Sequence, residues 1–84
     1  MSSNKKLQKI KNAKKMAEDF RGVYVDITRI DTKPFRALLI HDRHRYSLGY
    51  YDNANDAAMA FNKKAKSLFK SEKKAQTNGY WNNF

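Results

Sequence analysis

The chain has 84 residues, with 18 Lys plus Arg against 8 Asp plus Glu, a net charge of +10, 40% hydrophobic residues and no cysteine. That size bounds one small domain with a single compact core. The composition excludes a disulfide framework and a cysteine-zinc site, and no stretch approaches the ~20 consecutive apolar residues of a membrane span.

The charge exceeds the roughly 2–8 that solubility requires, so a polyanion is the expected partner. Its placement is uneven. Lys5, Lys6, Lys9, Lys11, Lys14 and Lys15 precede the first acid, the middle is near balance, and lysines return from Lys63 onward. Such a distribution suits a polyanion held from more than one side. The opening residues lead into lysines without an apolar stretch, so no secretory signal is read there. An intracellular location is expected, the nucleus if the source is a eukaryote. The aromatic fraction of 13% argues for a folded chain.

Residues 1–19 place Leu7, Ile10, Ala13 and Ala17 at three- and four-residue spacings among lysines. That is a basic amphipathic helix with a thin apolar face, or a mobile arm, because isolated helices of this length are marginal in water. Its narrow apolar face argues against a membrane-surface helix.

Residues 20–51 read as three strands. Val23 to Ile27 alternates around β-branched residues, Phe35 to Ile40 is an apolar run after Pro34, and Arg45 to Leu48 alternates again. Only His41-Asp42-Arg43-His44 separates the second and third runs, which is hairpin length, although the favoured turn carries Gly where Arg43 stands. Next comes a helix start at Asp52-Asn53, with Asn53 as N-cap and Asp56 three residues on. Ala58, Phe61, Ala65 and Leu68 mark one face of a helix reaching Phe69.

The expected fold class is α+β: a three-stranded antiparallel sheet packed on one amphipathic C-terminal helix, with a basic N-terminal arm. Alternation turns Val23, Val25, Phe35, Ala37, Leu39, Tyr46 and Leu48 to the helix. Tyr24, Asp26, Arg36, Leu38, Ile40, Arg45 and Ser47 then face outward. An open face carrying both arginines and apolar residues calls for a partner.

Several segments recur in a familiar order: Phe20-Arg21-Gly22-Val23-Tyr24, Phe35-Arg36-Ala37-Leu38-Leu39, Leu48-Gly49-Tyr50-Tyr51-Asp52-Asn53, Asp56-Ala57-Ala58-Met59-Ala60-Phe61-Asn62 and Ala75-Gln76-Thr77-Asn78. Residues 20–78 thereby resemble the Apetala-two/ethylene-response-factor (AP-two/ERF) DNA-binding domain. Its consensus runs YRGV, W-x-A-x-I, LG-x-F-D-T, EEAA-x-AYD and A-x-x-N. The resemblance implies the same sheet-on-helix fold and sequence-specific binding of double-stranded DNA, with the sheet in the major groove. It carries base-facing roles to Tyr24, Asp26, Leu38, Ile40, Arg45 and Ser47, with Arg36 beside them. The family often has arginine, tryptophan or glutamate where Asp26, Leu38, Ile40 and Ser47 stand, so its DNA sequence preference does not carry over.

A three-stranded ribbon fits the major groove, where Arg36 or Arg45 would pair with a guanine edge and Leu38 or Ile40 would meet thymine methyls. Lys5, Lys6, Lys9, Lys11, Lys14, Lys15, Arg21, Arg29, Lys33 and Arg43 are the expected phosphate contacts. Cross-strand pairing with Asp26 or Asp42 is the plainer role for the two arginines.

No catalytic constellation is read, so the chain is expected to be no enzyme, with no cofactor. His41, Asp42 and His44 make an incomplete metal site and read as a solvated hairpin tip. Gly79-Tyr80-Trp81-Asn82-Asn83-Phe84 is expected to fold back on the core. The alternatives are structured RNA in a ribonucleoprotein such as a ribosome, the related sheet-on-helix DNA-binding module of tyrosine recombinases without its catalytic domain, and a protein adaptor or homodimer using Tyr24, Leu38 and Ile40.

Overall fold

The computed structural model describes residues 2–84, with side chains from Lys5 onward. Helix α1 spans Ser2–Glu18, strand β1 Val23–Val25, β2 Phe35–His41, β3 His44–Tyr51, helix α2 Ala54–Phe69 and α3 Glu72–Thr77, with a 3₁₀ turn at Ile27–Arg29. The sheet is antiparallel in the order β1-β2-β3, so the α+β reading holds.

The first expected strand is shorter than its alternation suggested. After Val25, the Asp26 carboxylate accepts the Thr28 backbone N–H at 3.0 Å and caps the 3₁₀ turn. A short acceptor side chain at this position stabilises a turn in competition with the strand. Ile27 is consequently exposed instead of continuing β1. Ile30, which follows, is buried against Ala13 and Ala17 of α1.

Strands β2 and β3 join through Asp42 and Arg43, both with positive φ (51° and 65°). This is the primed two-residue turn whose twist matches a hairpin, formed without glycine. Arg36 pairs with Tyr50 while Leu38 pairs with Ser47, so Leu48 and Gly49 together oppose Ala37. Gly49 has φ +99°, a conformation that a side chain would strain. The extra residue shifts the alternation by one: Leu48 points inward, Tyr50 outward, and Tyr51 inward again.

Asn53 caps α2 by accepting the Asp56 N–H at 2.8 Å, and its amide donates to the Asp56 carboxylate at 3.2 Å. The helix ends at Lys70, held in the left-handed region. Its buried face is Ala54, Ala57, Ala58, Phe61, Asn62 and Ala65. The alanines let both α1 and α2 approach the sheet closely, in a cluster with Val23, Phe35 and Ala37. Leu39, Phe61, Ala65 and Ala75 form the second cluster, flanked by Tyr46, Leu68, Phe69, Tyr80 and Trp81. Burying side chains such as Leu39 and Phe61 stabilises the fold by about 1.5–3 kcal/mol each.

Residues 2–18 take the helical one of the two forms expected for the basic arm, with a docked C-terminal half, since Ala13 and Ala17 are buried while Leu7 is exposed. This helix, α1, packs against β1 and α2. α3, capped by Ser71, packs on α2 and buries Ala75.

The tail folds back as expected, through a polar clamp. The Asn82 side chain accepts the Arg21 N–H at 2.5 Å and donates to the Arg21 carbonyl at 3.0 Å. Asn62 of α2 grips the Asn82 backbone in the same two-bonded way, both at 2.8 Å. The chain end, α2 and the entry to β1 are thereby tied together.

Candidate nucleic-acid interface

The hydrophobic clusters lie on one side of the sheet, and the other side presents its side chains to solvent. Register places Tyr24, Arg36 and Tyr50 in one cross-strand row, Leu38 opposite Ser47, and Ile40 opposite Arg45. Tyr24 is 52% exposed and Ile40 49%, and Arg45 and Ser47 are exposed as well. At strand spacings near 4.8 Å the three backbones span about 10 Å, and the major groove is about 12 Å wide.

Arg36 is half-buried in this row. One terminal nitrogen lies 3.5 Å from the Ser47 hydroxyl, while its Nε is buried without a hydrogen-bond partner among the described residues. An unpartnered buried donor is costly to the fold. Tyr24, Asp26, Thr28 and Arg36 line a concavity of about 320 Å³ at this end of the face. Neither Arg36 nor Arg45 forms an ion pair with Asp26 or Asp42; the ion pairs among the described residues are Lys6–Asp31, Lys9–Asp31 and Arg29–Asp26.

Two residues expected to meet bases are otherwise engaged. Leu38 has the right register, but only 8% of its surface remains exposed. The Leu38 N–H bonds to the Gly22 carbonyl, keeping the backbones paired tightly at this position. Its expected contact with a thymine methyl is therefore corrected: the side chain is packed away. Asp26 is the second correction. Its carboxylate is occupied by the Thr28 N–H and hydroxyl and faces Arg29, so it serves the turn and not an open reading position. The Thr28 hydroxyl is the main reason that its carboxyl is held below the usual carboxylate value, with Arg29 and Arg36 adding to the effect.

The residue that sequence reading missed is Tyr50. Strict alternation from Leu48 would have turned it inward, and the bulge at Gly49 turns it out. A glycine inside a strand pattern was the available signal. The Tyr50 ring carries the Arg29 guanidinium at 3.9 Å from its centroid, a cation–π contact.

Apart from Arg29, which lies over Tyr50, the expected phosphate contacts are distributed around this face. Lys5, Lys6, Lys9, Lys11, Lys14 and Lys15 decorate α1, with Lys6 and Lys9 within 3.8 Å and 3.3 Å of Asp31. Lys33 and Arg43 are exposed at opposite loops. Arg21 is exposed too, but one guanidinium nitrogen donates to the Gly79 carbonyl at 2.8 Å, so part of its capacity holds the tail. Exposed ion pairs are weak and yield to a phosphate competitor at little cost.

His41 does not sit on a solvated tip. Its ring packs 4.9 Å from Phe69 and 5.2 Å from Tyr80, walling the second cluster. Among the described residues, no group of three or more His, Asp or Glu side chains could hold a metal ion, and no helix is long and apolar enough to cross a membrane.

No protein-family model matches the chain, and comparison with curated proteins and with solved structures gives no match. The AP-two/ERF resemblance accordingly rests on the ordered residues quoted above.

Proposed function

We propose that the chain is a double-stranded-DNA-binding protein of AP-two/ERF type, acting by binding and not by catalysis, in a regulatory or architectural role. The observation that carries this reading is the solvent-facing side of the sheet. It holds Tyr24, Arg36, Ile40, Arg45, Ser47 and Tyr50 over a core that closes the other side. A sheet face with donors, small polar groups and one aliphatic side chain matches the mixture of acceptors, donors and methyls on base edges. In this reading Arg36 and Arg45 address guanine, Ile40 meets a thymine methyl, and Tyr24 supports the row.

The lysines of α1 supply the sequence-independent part. α1 carries six lysines against Glu18 alone, and each phosphate neutralised adds about 0.9 to the slope of log affinity against log salt. The two roles separate in a titration of random and selected duplexes across a salt series, with structured RNA as competitor. Steeply salt-dependent duplex binding with a selected sequence is the expected result. Absence of binding at low salt, or affinity indifferent to salt, contradicts the reading. Preference for structured RNA over duplex reassigns the same surface to a ribonucleoprotein.

A further inference from the structure

Arg29 was expected to be one of several loop cations that touch phosphate. Its surroundings distinguish it from the α1 lysines. The guanidinium lies over the Tyr50 ring at 3.9 Å. Its Nε lies 3.8 Å from Asp26 Oδ2. Asp26 is in turn held by the Thr28 N–H at 3.0 Å and the Thr28 hydroxyl at 2.5 Å. The fork is thus held over an aromatic face, with an anchored carboxylate on its Nε side. The side chain is 48% exposed, and its terminal nitrogens make no hydrogen bond among the described residues. Arg36 stands across the register from Tyr50 on the same face.

Resting on the DNA reading above, we propose that Arg29 is a specificity-determining residue that reads a guanine edge, positioned by Tyr50 and Asp26. Two arguments separate this from a phosphate contact. A planar fork fixed in orientation loses little side-chain freedom on making a two-bonded contact, and the N7 and O6 of guanine offer that paired acceptor. The neighbouring carboxylate also repels an anion at this point, whereas a base edge is neutral. The α1 lysines, arrayed along a helix beside the sheet, suit phosphates.

The test starts from a duplex selected by the wild-type chain out of a random library. Wild type, R29K, R29A, Y50L and the R29K/Y50L double variant are titrated against it and against duplexes altered one base pair at a time, at several salt concentrations. Thermal melting checks that each variant is folded. R29K keeps the charge and loses the fork. It is expected to lose about five- to 150-fold of the discrimination at one G·C pair, with the salt slope unchanged. Y50L is expected to erode preference at that same pair, and the double variant to be no worse than R29K.

The assignment is overturned if R29K keeps every base preference. It is equally overturned if R29A weakens all duplexes alike and lowers the salt slope by about 0.9, the signature of a phosphate contact. A wild-type chain that binds no duplex, or binds every duplex equally, fails at the earlier step and overturns the reading of the whole face along with this one.

Discussion

Replacing Asn82 with Ala removes the side chain that joins the chain end to the entry of β1. Asn82 is only 4% exposed, and its amide makes two hydrogen bonds to the Arg21 backbone, one accepted at 2.5 Å and one donated at 3.0 Å. The substitution leaves the Arg21 N–H and C=O unpaired in a part-buried site. An intramolecular hydrogen bond contributes about 0.5–1.5 kcal/mol net, and a stranded buried group costs about 1–3 kcal/mol. Two such groups, partly reached by water, give an expected loss of about 2–4 kcal/mol. At about 4–8 °C per kcal/mol for a domain of this size, the melting temperature falls by at least about 8 °C. Urea unfolding followed by Trp81 fluorescence measures the change, since Trp81 packs in the cluster that the clamp closes. N83A, an exposed neighbour, is the control and should remain within about 0.5 kcal/mol of wild type. An N82A variant as stable as N83A would refute the assignment of the clamp.

A Cβ at Gly22 would overlap the Phe61 ring and lie 2.7 Å from the Leu38 carbonyl, at a φ of +71°. G22A should therefore destabilise by about 2–5 kcal/mol, from left-handed strain and overpacking together, and a melt within 2 °C of wild type would contradict this. Arg43 occupies a left-handed turn position with no glycine, so R43G should raise stability by about 0.5–1 kcal/mol in the same unfolding assay, and a loss would argue against the primed turn. The Asp26 carboxyl is held below the ordinary aspartate value, chiefly by the Thr28 hydroxyl. Its folded form holds its proton less tightly than its unfolded form, so its stabilisation is complete above the ordinary carboxylate range and is lost as pH falls through the depressed value. Comparing wild type with D26N by denaturant titration should show a gap near neutrality that narrows on acidification, and a gap that widens would reverse the sign of the argument.

The parts of the fold that follow from a regular period were legible in the residues. β2 and the end of α2 at Phe69 fall where the apolar pattern placed them, and Asn53 caps where a short polar side chain precedes the alanine run. The departures have local causes. The Asp26–Thr28 cap ends β1 after three residues, because a turn with its own side-chain acceptor outcompetes a strand with an open edge. One residue of bulge at Gly49 reverses which of Tyr50 and Tyr51 faces out, and a period-two argument has no means of counting it. α1 docks through Ala13 and Ala17, members of the apolar stripe read along residues 1–19, but side chains so small left a docked helix and a mobile arm both open. The Asn62–Asn82 clamp joins two polar residues 20 positions apart in contacts without periodicity. For the candidate interface, Tyr24, Ile40, Arg45 and Ser47 could be placed on the outer face by alternation. The packing of Leu38, the engagement of Asp26 and the stacking of Arg29 on Tyr50 depend on contacts that only three dimensions reveal.

If the open side of the sheet is the surface that meets duplex DNA, backbone amide shifts of the full chain, recorded during titration with a selected duplex, will report the contact residue by residue. The expected result is a contiguous set of large perturbations at Tyr24, Arg36, Ile40, Arg45, Ser47 and Tyr50, with smaller salt-sensitive changes along α1 and little change at Met59, Lys63 and Lys66 on the solvent side of α2. Perturbations confined to α1 or α2, with the sheet residues unmoved under saturating duplex, would contradict it.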